Sequence, residues 1–266
     1  MTTLIACSRL YDVTRAKADA WHEVFEEAGR LAGIELRILD WSAPASLGEL
    51  WKKPDLGLTF LCGRPYLQAG ARHQIIGAPL GPESGTEAAY CTLLLARSSS
   101  LWTRVEDSFG SRLGHMPVHS QSGYNALRFL LAPYARGGRL YASHTELETP
   151  AACLNALCDG RVDVIPMDSY FYSLLVSSGS RWKDELTVLG RSPLTAMPFL
   201  AASPGLDSGV VTALRGALES WSRSSCGEEL RRELCMKGFS LPVPSDYAVL
   251  AEQEAAALRL CYPCPR

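Results

Sequence analysis

The amino-acid sequence predicts an α/β fold of two lobes, one of which is inserted into the other. Three observations support this prediction. Apolar runs typical of buried strands alternate with amphipathic segments typical of helices, an order that favours parallel sheets. A Gly/Pro-rich stretch, residues 73–88, interrupts the alternation as a connection would. Extended segments near residues 88–97 and 190–203 then provide two crossings between the lobes.

This pattern divides the chain into a discontinuous lobe and a continuous one. We expect residues 1–88 and 198–266 to form lobe 1, and residues 89–197 to form the inserted lobe 2. Each lobe is predicted to be a mainly parallel sheet flanked by helices, with the two crossover strands as a hinge. A ligand would then bind in the cleft, near the carboxyl ends of strands and the starts of helices.

The first third of the chain predicts the order strand, helix, strand, helix, strand. "TTLIAC" is the first strand, and "IELRILDW" and "DLGLTFLCG" are the next two, with a helical "LGELW" between them. The first helix is ended by Gly33. Its apolar residues recur at three- and four-residue spacing on one face: Trp21, Val24, Phe25, Ala28 and Leu31.

The middle of the chain alternates five predicted strands with three predicted helices. The strands are "AYCTLLLAR", "RLGHMPVH", "RLYASH", "RVDVIPM" and "ELTVLG", and the helices are "YNALRFLLAPYA", "TPAACLNALCDG" and "DSYFYSLLVS". Thr149 is expected to cap the second of these helices, with Pro150 at its first position and Gly160 after its end. A strand "MPFLAAS" and mainly helical segments, the first capped by Asp207, complete the chain.

Composition narrows the classes of function. The chain has 266 residues, a formal net charge of -2 and a sequence pI of about 6.2, without a basic run, so we expect no nucleic-acid partner. No apolar run approaches the ~20 residues that span a bilayer, and we expect no membrane insertion. The N-terminus lacks the pattern of a secretory signal, which favours a cytoplasmic location.

Nine cysteines are scattered along the chain. Several lie in apolar runs and are expected to be buried in a reducing compartment, again the cytoplasm. Cys261 and Cys264 form a C-x-x-C pair, but a zinc site would need two further ligands and a redox pair would open a helix. We therefore expect no metal and no cofactor.

The stretch "HSQSGYNALR", from His119 to Arg128, follows a predicted strand and opens a predicted helix. Two interpretations are balanced: Ser122 caps the helix and Gly123 makes a turn, or the segment binds an anion through backbone N–H groups and the hydroxyls of Ser120 and Ser122. A nucleophilic Ser122 with a histidine base is a third interpretation, although the G-x-S-x-G pattern is incomplete.

Other candidate binding residues lie at predicted strand ends. Cys62, Gly63 and Arg64 form a turn after the third strand. A nucleophilic thiol at Cys62 would need a lowered pKa, and its neighbours in the sequence give no cause for one, so a packing or turn role is favoured for Cys62. His144 and Asp168 are each predicted to end a strand, and each has an alternative role as a cap or a surface residue.

Several stretches in a fixed order resemble the substrate-binding components of phosphate/phosphite/phosphonate ABC transporters, the PhnD-like group. They are "YDVTRAKADAWHEVF", "LTFLCGRPYL", "AYCTLLLAR", "SQSGYNALR", "SH" at 143–144, "GRVDVIPMDSYFYSLL" and "LTVLGRSP". The resemblance implies the two-lobed type 2 periplasmic-binding-protein fold, or Venus flytrap, with a hinged cleft. It also implies a periplasmic location, an ABC permease as partner and a monomer.

The resemblance also implies ligand-binding roles for particular residues. An oxyanion, phosphonate or phosphate, would be held by the loop Ser120, Gln121, Ser122, Gly123, Tyr124 and Asn125. Tyr11 and Tyr90 would supply phenols, and Asp168, with His144 nearby, occupies a position that meets the ammonium group of aminoalkyl phosphonates. We therefore predict a non-catalytic binding protein.

Two enzymatic alternatives stay open from the residues. One is a lyase or dehydratase on the same fold that acts on a small carboxylate, with Asp168, His144 and Cys62 as candidate groups. The other is a serine hydrolase that uses Ser122, with His119 or His144 as the base and Asp168 as the group that orients it.

Overall fold

The computed structural model describes residues 3–135, 138–179 and 182–266, so Thr2 of the predicted first strand lies outside the described residues. The strands are β1 (Leu4–Cys7), β2 (Leu36–Ile38), β3 (Leu56–Leu61), β4 (Gln74–Pro79), β5 (Ala89–Tyr90), β6 (Thr92–Arg97), β7 (Arg112–His115), β8 (Ser143–Glu146), β9 (Val164–Asp168), β10 (Leu186–Arg191), β11 (Thr195–Ala196), β12 (Phe199–Ala202) and β13 (Phe239–Ser240). The helices are α1 (Arg15–Ala32), α2 (Leu47–Trp51), α3 (Gly63–Gln68), α4 (Ala126–Ala135), α5 (Pro150–Cys158), α6 (Ser169–Ser177), α7 (Trp182–Glu185), α8 (Ser208–Arg223), α9 (Glu228–Glu233) and α10 (Ala248–Arg259). Within the described ranges, every helix is too short or too polar to cross a membrane.

The chain forms two compact units, and both are discontinuous in sequence. Unit 1 comprises Met1–Ala89 and Ala196–Asp246, and unit 2 comprises Tyr90–Thr195 and Tyr247–Arg266. The chain passes from one unit to the other within β5 and within β11, and a third time just before α10. The sequence predicted only the first two passages.

Unit 1 is built on a six-stranded sheet with the order β13-β4-β12-β3-β1-β2. β1 pairs in parallel with β2 and β3, as the alternation of strands and helices predicted, whereas β12 runs antiparallel to β3 and β4. All six residues of β3 are buried, which explains its continuous apolar sequence.

The segment predicted as a connection, residues 73–88, contains strand β4, so that prediction was wrong in part. β4 pairs with β12 on one side and with β13 on the other. Glycine suits position 77 of this strand because a Cβ there would lie only 3.1 Å from Cδ1 of Leu218 in α8. The glycine that favoured a loop in the sequence instead lets a helix pack closely on the sheet.

Helix α1 confirms its predicted end and most of its predicted face. The Thr14 side chain caps its start, and Gly33 ends it in the left-handed conformation at φ 67°. Trp21 is fully buried and its ring packs edge-on against Phe60 with centroids 4.9 Å apart. Leu31, predicted on the same face, lies in the last turn of the helix and is 41% exposed.

Unit 2 is built on a five-stranded sheet with the order β10-β6-β9-β7-β8. β7 is parallel to β8 and β9, while β6 is antiparallel to β9 and β10. The predicted caps of α5 are confirmed: the Thr149 hydroxyl accepts from Ala152 N, and Gly160 has φ 69°. The strand predicted at "RLYASH" lies later, at Ser143–Glu146, because its register is set by pairing with β7.

The C-terminal segment belongs to unit 2, whereas the predicted division assigned residues 198–266 to lobe 1. α10 packs against α4. Ala257 and Tyr262 are buried in the same apolar cluster as Leu127 and Leu131 of α4. The apolar face of α10 therefore completes the core of unit 2.

Candidate functional site

The segment Ser120–Asn125 opens the helical run that continues as α4. Ser120 is the cap, since its Oγ accepts a hydrogen bond from Gly123 N at 3.1 Å. The turn that follows, Gln121–Asn125, is a π turn, in which Asn125 N donates to Ser120 O at 3.1 Å. The interpretation of Ser122 as the cap was therefore wrong. Among the described residues the half-buried Ser122 hydroxyl has no hydrogen-bond partner, and only its backbone carbonyl is used.

Gly123 is required by packing inside unit 2. A Cβ at this position would lie 2.4 Å from Cβ of Met116 and 2.6 Å from its Sδ. The two residues are also joined by a hydrogen bond from Met116 N to Gly123 O at 3.0 Å. The sequence suggested that this glycine lets an anion approach the backbone, and the structure gives it a second role, which is to let the loop after β7 approach the helix start.

The side chains of Gln121 and Asn125 point into the protein. Both residues are fully buried, and the Asn125 amide donates to Gln121 Oε1 at 2.9 Å. Gln121 in turn donates to Gln253 Oε1 at 2.8 Å. The Tyr124 phenol donates to Pro263 O at 3.5 Å. Of these residues, Gln121 has its backbone N–H group to offer at the helix start, whereas the N–H group of Asn125 already donates to Ser120 O.

Asp168 lies close to the same helix start and caps a second helix. Its Oδ1 accepts from Tyr170 N at 2.8 Å and from Phe171 N at 3.0 Å, so the alternative role as a cap is confirmed. Thr92 faces Asp168 in the sheet and donates through its hydroxyl to Ser122 O at 3.0 Å. Thr92, which the sequence did not single out, thus links the two candidate positions.

His144 lies within β8 rather than at its end, and it pairs with a histidine that the sequence did not single out. Nδ1 of His144 is 3.0 Å from Nε2 of His115, and the two rings stack with centroids 5.3 Å apart. His115 Nδ1 donates to Met116 O at 2.9 Å. Burial lowers the pKa of His144, and the neighbouring His115 and the guanidinium groups of Arg139 and Arg266 lower it further.

The predicted residues of unit 1 form a separate set. Tyr11 is 1% exposed and packs edge-on against Phe60, with ring centroids 4.9 Å apart. Cys62 is the N-terminal cap residue of α3, and Gly63 and Arg64 are the first two residues of that helix, so the predicted turn is a short helix. Both Gly63 and Arg64 are buried.

Unit 2 therefore brings together the Ser120–Asn125 segment, Asp168 and the His115–His144 pair around the ends of β7 and β9. Tyr90 belongs to the same unit and is buried in β5, two residues before Thr92. No signal in the sequence indicated that His115 belongs to the site. Its contact with His144, 29 residues away in the sequence, depends on the register between β7 and β8.

The described parts of the chain contain no group of three or more His, Cys, Asp or Glu side chains that could hold a metal ion. All nine cysteines are free. Cys261 of the C-x-x-C pair is exposed, and Cys264 is half-buried.

Comparison with known proteins identifies the family. Residues 14–247 match the family described as "ABC transporter, phosphonate, periplasmic substrate-binding protein". No curated protein matches the chain by sequence.

Three solved structures illustrate the likeness of fold. A binding protein component of an ABC phosphonate transporter from Pseudomonas aeruginosa is 14% identical with a TM-score of 0.82, over 97% of this chain and 87% of that one. PhnD1 from Prochlorococcus marinus in complex with methylphosphonate is 11% identical with a TM-score of 0.78, over 96% and 97%. The GluR0 ligand-binding core from Nostoc punctiforme in complex with L-glutamate is 13% identical with a TM-score of 0.58, over 88% and 99%.

At these identities the structures show the fold alone, which is the two-lobed type 2 periplasmic-binding-protein fold that the sequence predicted. The family match extends over most of the chain and includes the helix start, Asp168 and His144. The chain therefore belongs to the family of phosphonate ABC transporter substrate-binding proteins.

Proposed function

We propose that the chain binds a phosphonate or phosphate without chemical turnover, and that the start of the helical run at Gln121 in unit 2 holds the anion. The observation that carries this proposal is the Ser122 hydroxyl, which has no side-chain or backbone partner among the described residues although it lies in the first turn of a helix. Family membership supports solute binding as the activity.

The helix start suits a compact oxyanion for two physical reasons. The first N–H groups of a helix have no internal acceptor, and the helix dipole is positive at this end. The Ser120 hydroxyl accepts from Gly123 N and fixes the turn, while the Ser122 hydroxyl is available as an additional donor to the ligand. Phosphonate and phosphate oxygens match such donors in charge and geometry.

Three observations support binding over catalysis. Among the described residues, no histidine or carboxylate lies within hydrogen-bond distance of Ser122 Oγ, so this serine lacks the base that a nucleophile needs. The Asp168 carboxylate accepts hydrogen bonds from the N–H groups of α6, and His144 Nδ1 is hydrogen-bonded to His115. We therefore favour neither a serine hydrolase nor a lyase.

The remaining predicted residues have proposed roles that follow from family resemblance. We propose Asp168 and His144 as contacts to the part of the ligand beyond the anionic group. Tyr11, Tyr90 and the Cys62–Arg64 segment are proposed as further contacts. An ABC permease is the proposed partner, lobe closure the proposed response to ligand, and a monomer the proposed state.

Location is also a proposal. The family is described as periplasmic, whereas the sequence favoured the cytoplasm. Fractionation of cells that produce the full-length chain at its natural level separates the two compartments. The chain is expected in the periplasmic fraction if it serves a permease there.

Isothermal calorimetry and thermal shift with methylphosphonate and inorganic phosphate test the proposed ligand class, with malate and L-arginine as controls. Binding of at least one of the first two, with no binding of the controls, supports the proposal. Failure of a panel of phosphonates and phosphate to bind would overturn it. Product formation, or covalent labelling of Ser122 by a fluorophosphonate, would favour the hydrolase instead.

Two matched variants test the assignment to the helix start. Ser122→Ala is expected to weaken anion binding about tenfold and to leave stability unchanged, because it removes one hydroxyl donor and no internal bond. Ser120→Ala is expected to cost about 1 kcal/mol of stability as well, since this hydroxyl caps the helix. Wild-type affinity in both variants would contradict the assignment.

A further inference from the structure

A chain of buried side-chain hydrogen bonds lies beneath the π turn and connects it to α10. Arg128 Nη2 donates to Asn125 Oδ1 at 2.8 Å, and Asn125 Nδ2 donates to Gln121 Oε1 at 2.9 Å and to Leu250 O at 2.9 Å. Gln121 Nε2 donates to Gln253 Oε1 at 2.8 Å. All four side chains are at least 97% buried, so water does not compete with these bonds.

The direction of every bond in this chain follows from Arg128. A guanidinium only donates, so the Asn125 atom that it meets must be the oxygen. The Asn125 nitrogen then faces Gln121, whose oxygen must accept, and the Gln121 nitrogen faces Gln253. Gln253 must therefore present an acceptor, and of the four side chains it alone lies on α10.

The position of Arg128 is itself fixed by the C-terminal segment. Its Nη1 donates to Pro263 O at 2.9 Å, and its Nη2 lies 3.3 Å from Glu254 Oε1. Both ends of the hydrogen-bond chain thus rest on residues after Tyr247. The π turn is held between them by side chains of its first and last residues, Gln121 and Asn125.

A π turn is rare and persists where the surroundings hold it. The turn determines where the N–H group and the hydroxyl of Ser122 point, because Ser122 lies between the two anchored residues. We infer that Gln253 is a positioning residue for the bound anion, acting through Gln121 on the π turn. This inference rests on the proposed function, since it concerns the same helix start.

The test compares two substitutions of similar size. Gln253→Met removes the acceptor and is expected to weaken binding of methylphosphonate and inorganic phosphate about tenfold, the change that follows from loss of one buried hydrogen bond. Gln253→Glu keeps an acceptor oxygen and is expected to restore affinity to within about threefold of the wild type. Gln253→Asn, with its acceptor one methylene short, replaces Gln253→Met if that variant does not fold.

Leu250→Ala is the matched control. It removes a buried side chain of α10 but keeps the Leu250 carbonyl that accepts from Asn125. It is expected to lower the thermal midpoint without weakening binding of either probe. Equal loss of affinity in Leu250→Ala and Gln253→Met, or wild-type affinity in Gln253→Met, would overturn the inference.

Amide hydrogen exchange without ligand separates this inference from the proposed function. The N–H groups of Asn125 and Ala126 make the bonds that define the π turn. Their exchange is expected to accelerate about tenfold relative to amides of α5 in Gln253→Met and not in Gln253→Glu. If the wild type binds neither probe, the proposed function fails while this measurement still decides the inference: unchanged exchange in Gln253→Met refutes it.

Discussion

Nε2 of His115 lies 3.0 Å from Nδ1 of His144, and the backbone fixes which of the two atoms carries the proton. His115 Nδ1 faces the carbonyl of Met116, which only accepts, so His115 Nε2 must accept from His144 Nδ1 when both rings are neutral. His144 Nε2 then carries a lone pair. A second positive charge on the pair would break this hydrogen bond.

This relationship predicts how stability depends on pH. Burial, His115, Arg139 and Arg266 hold the pKa of His144 below its ordinary value of 6.5. The unfolded chain therefore binds a proton at His144 more readily than the folded chain does. The stabilisation that neutral His144 contributes to the folded state is lost as pH falls through about 6.5 and below.

We expect the free energy of unfolding to fall more between pH 7.5 and 5.5 in the wild type than in His144→Gln. Urea denaturation at several pH values measures this difference. His119→Gln changes an exposed histidine of the same unit and is expected to retain the wild-type slope. Equal slopes in the wild type and His144→Gln would contradict the prediction.

The ion pairs of Asp163 predict a second dependence of stability on pH, at acidic pH. Arg112 donates to both carboxylate oxygens at 2.8 Å, and Arg97 donates to Oδ1 at 3.1 Å. The hydrogen bonds from Arg112 are the main cause that lowers the pKa of Asp163 to about 2. We expect Asp163→Asn to cost about 1–2 kcal/mol at pH 7, a value reduced for solvent screening at the protein surface.

The sign follows from the depressed pKa. The stabilisation is complete above the ordinary pKa of 3.8 and is lost as pH falls toward about 2, so the gap between wild type and Asp163→Asn closes there. Denaturation curves from pH 7 to pH 2.5 provide the measurement. Asp159→Asn breaks an exposed pair with Arg161 and is expected to cost less than about 0.5 kcal/mol. A constant gap across this range would count against the ion pair as its source.

Gly123 and Met116 predict a steric effect at the helix start. In Gly123→Ala the new Cβ would lie 2.4 Å from the Met116 Cβ, which belongs to the stiff part of that side chain. We expect a loss of about 1–3 kcal/mol, the usual cost of forcing extra volume into a packed site.

Gly216→Ala is a control of opposite sign. Gly216 is exposed in the middle of α8, and a Cβ there meets no atom within 4 Å, so alanine is expected to stabilise the protein by about 0.5–1 kcal/mol. Thermal and chemical denaturation measure both variants. An unchanged free energy of unfolding in Gly123→Ala would contradict the prediction and show that the loop containing Met116 moves to make room for the new Cβ.

The cysteines predict a graded pattern of thiol reactivity. Burial raises the pKa of the Cys7 thiol to about 11 and that of Cys153 to about 12, whereas Cys226 and Cys261 are exposed. We expect Cys226 and Cys261 to react with an aromatic disulfide reagent in the native protein, and Cys7 and Cys153 to react only after unfolding. Mass spectrometry of labelled peptides identifies the sites. Fast native labelling of Cys153 would be inconsistent with the packing of α5.

Local signals in the sequence were sufficient to predict where several helices begin or end. Thr149, Pro150 and Gly160 mark the ends of α5, and Gly33 marks the end of α1, because caps and left-handed turns depend on adjacent residues alone. Strand β4 was hidden because Gly77 and the prolines after it favour a loop unless a neighbouring helix needs the space.

The candidate site was predictable in part. The position of the helix start followed from the serines and glycine after an apolar run. The choice between Ser120 and Ser122 as the cap did not, since it depends on a π turn held by Gln253, far away in sequence. The same holds for His115, which acquires its partner only through strand pairing.

The C-terminal segment, Tyr247–Arg266, has a consequence for how the protein is made. Because unit 2 takes α10 from a segment that follows all of unit 1 in the sequence, the proposed binding element cannot be fully formed while the ribosome still holds these residues. The helix start thus gains its supports, Gln253 and Pro263, only after the strands of both sheets have been synthesised. A stop codon just before α10 would leave unit 1 with all of its strands and remove the frame on which the π turn rests.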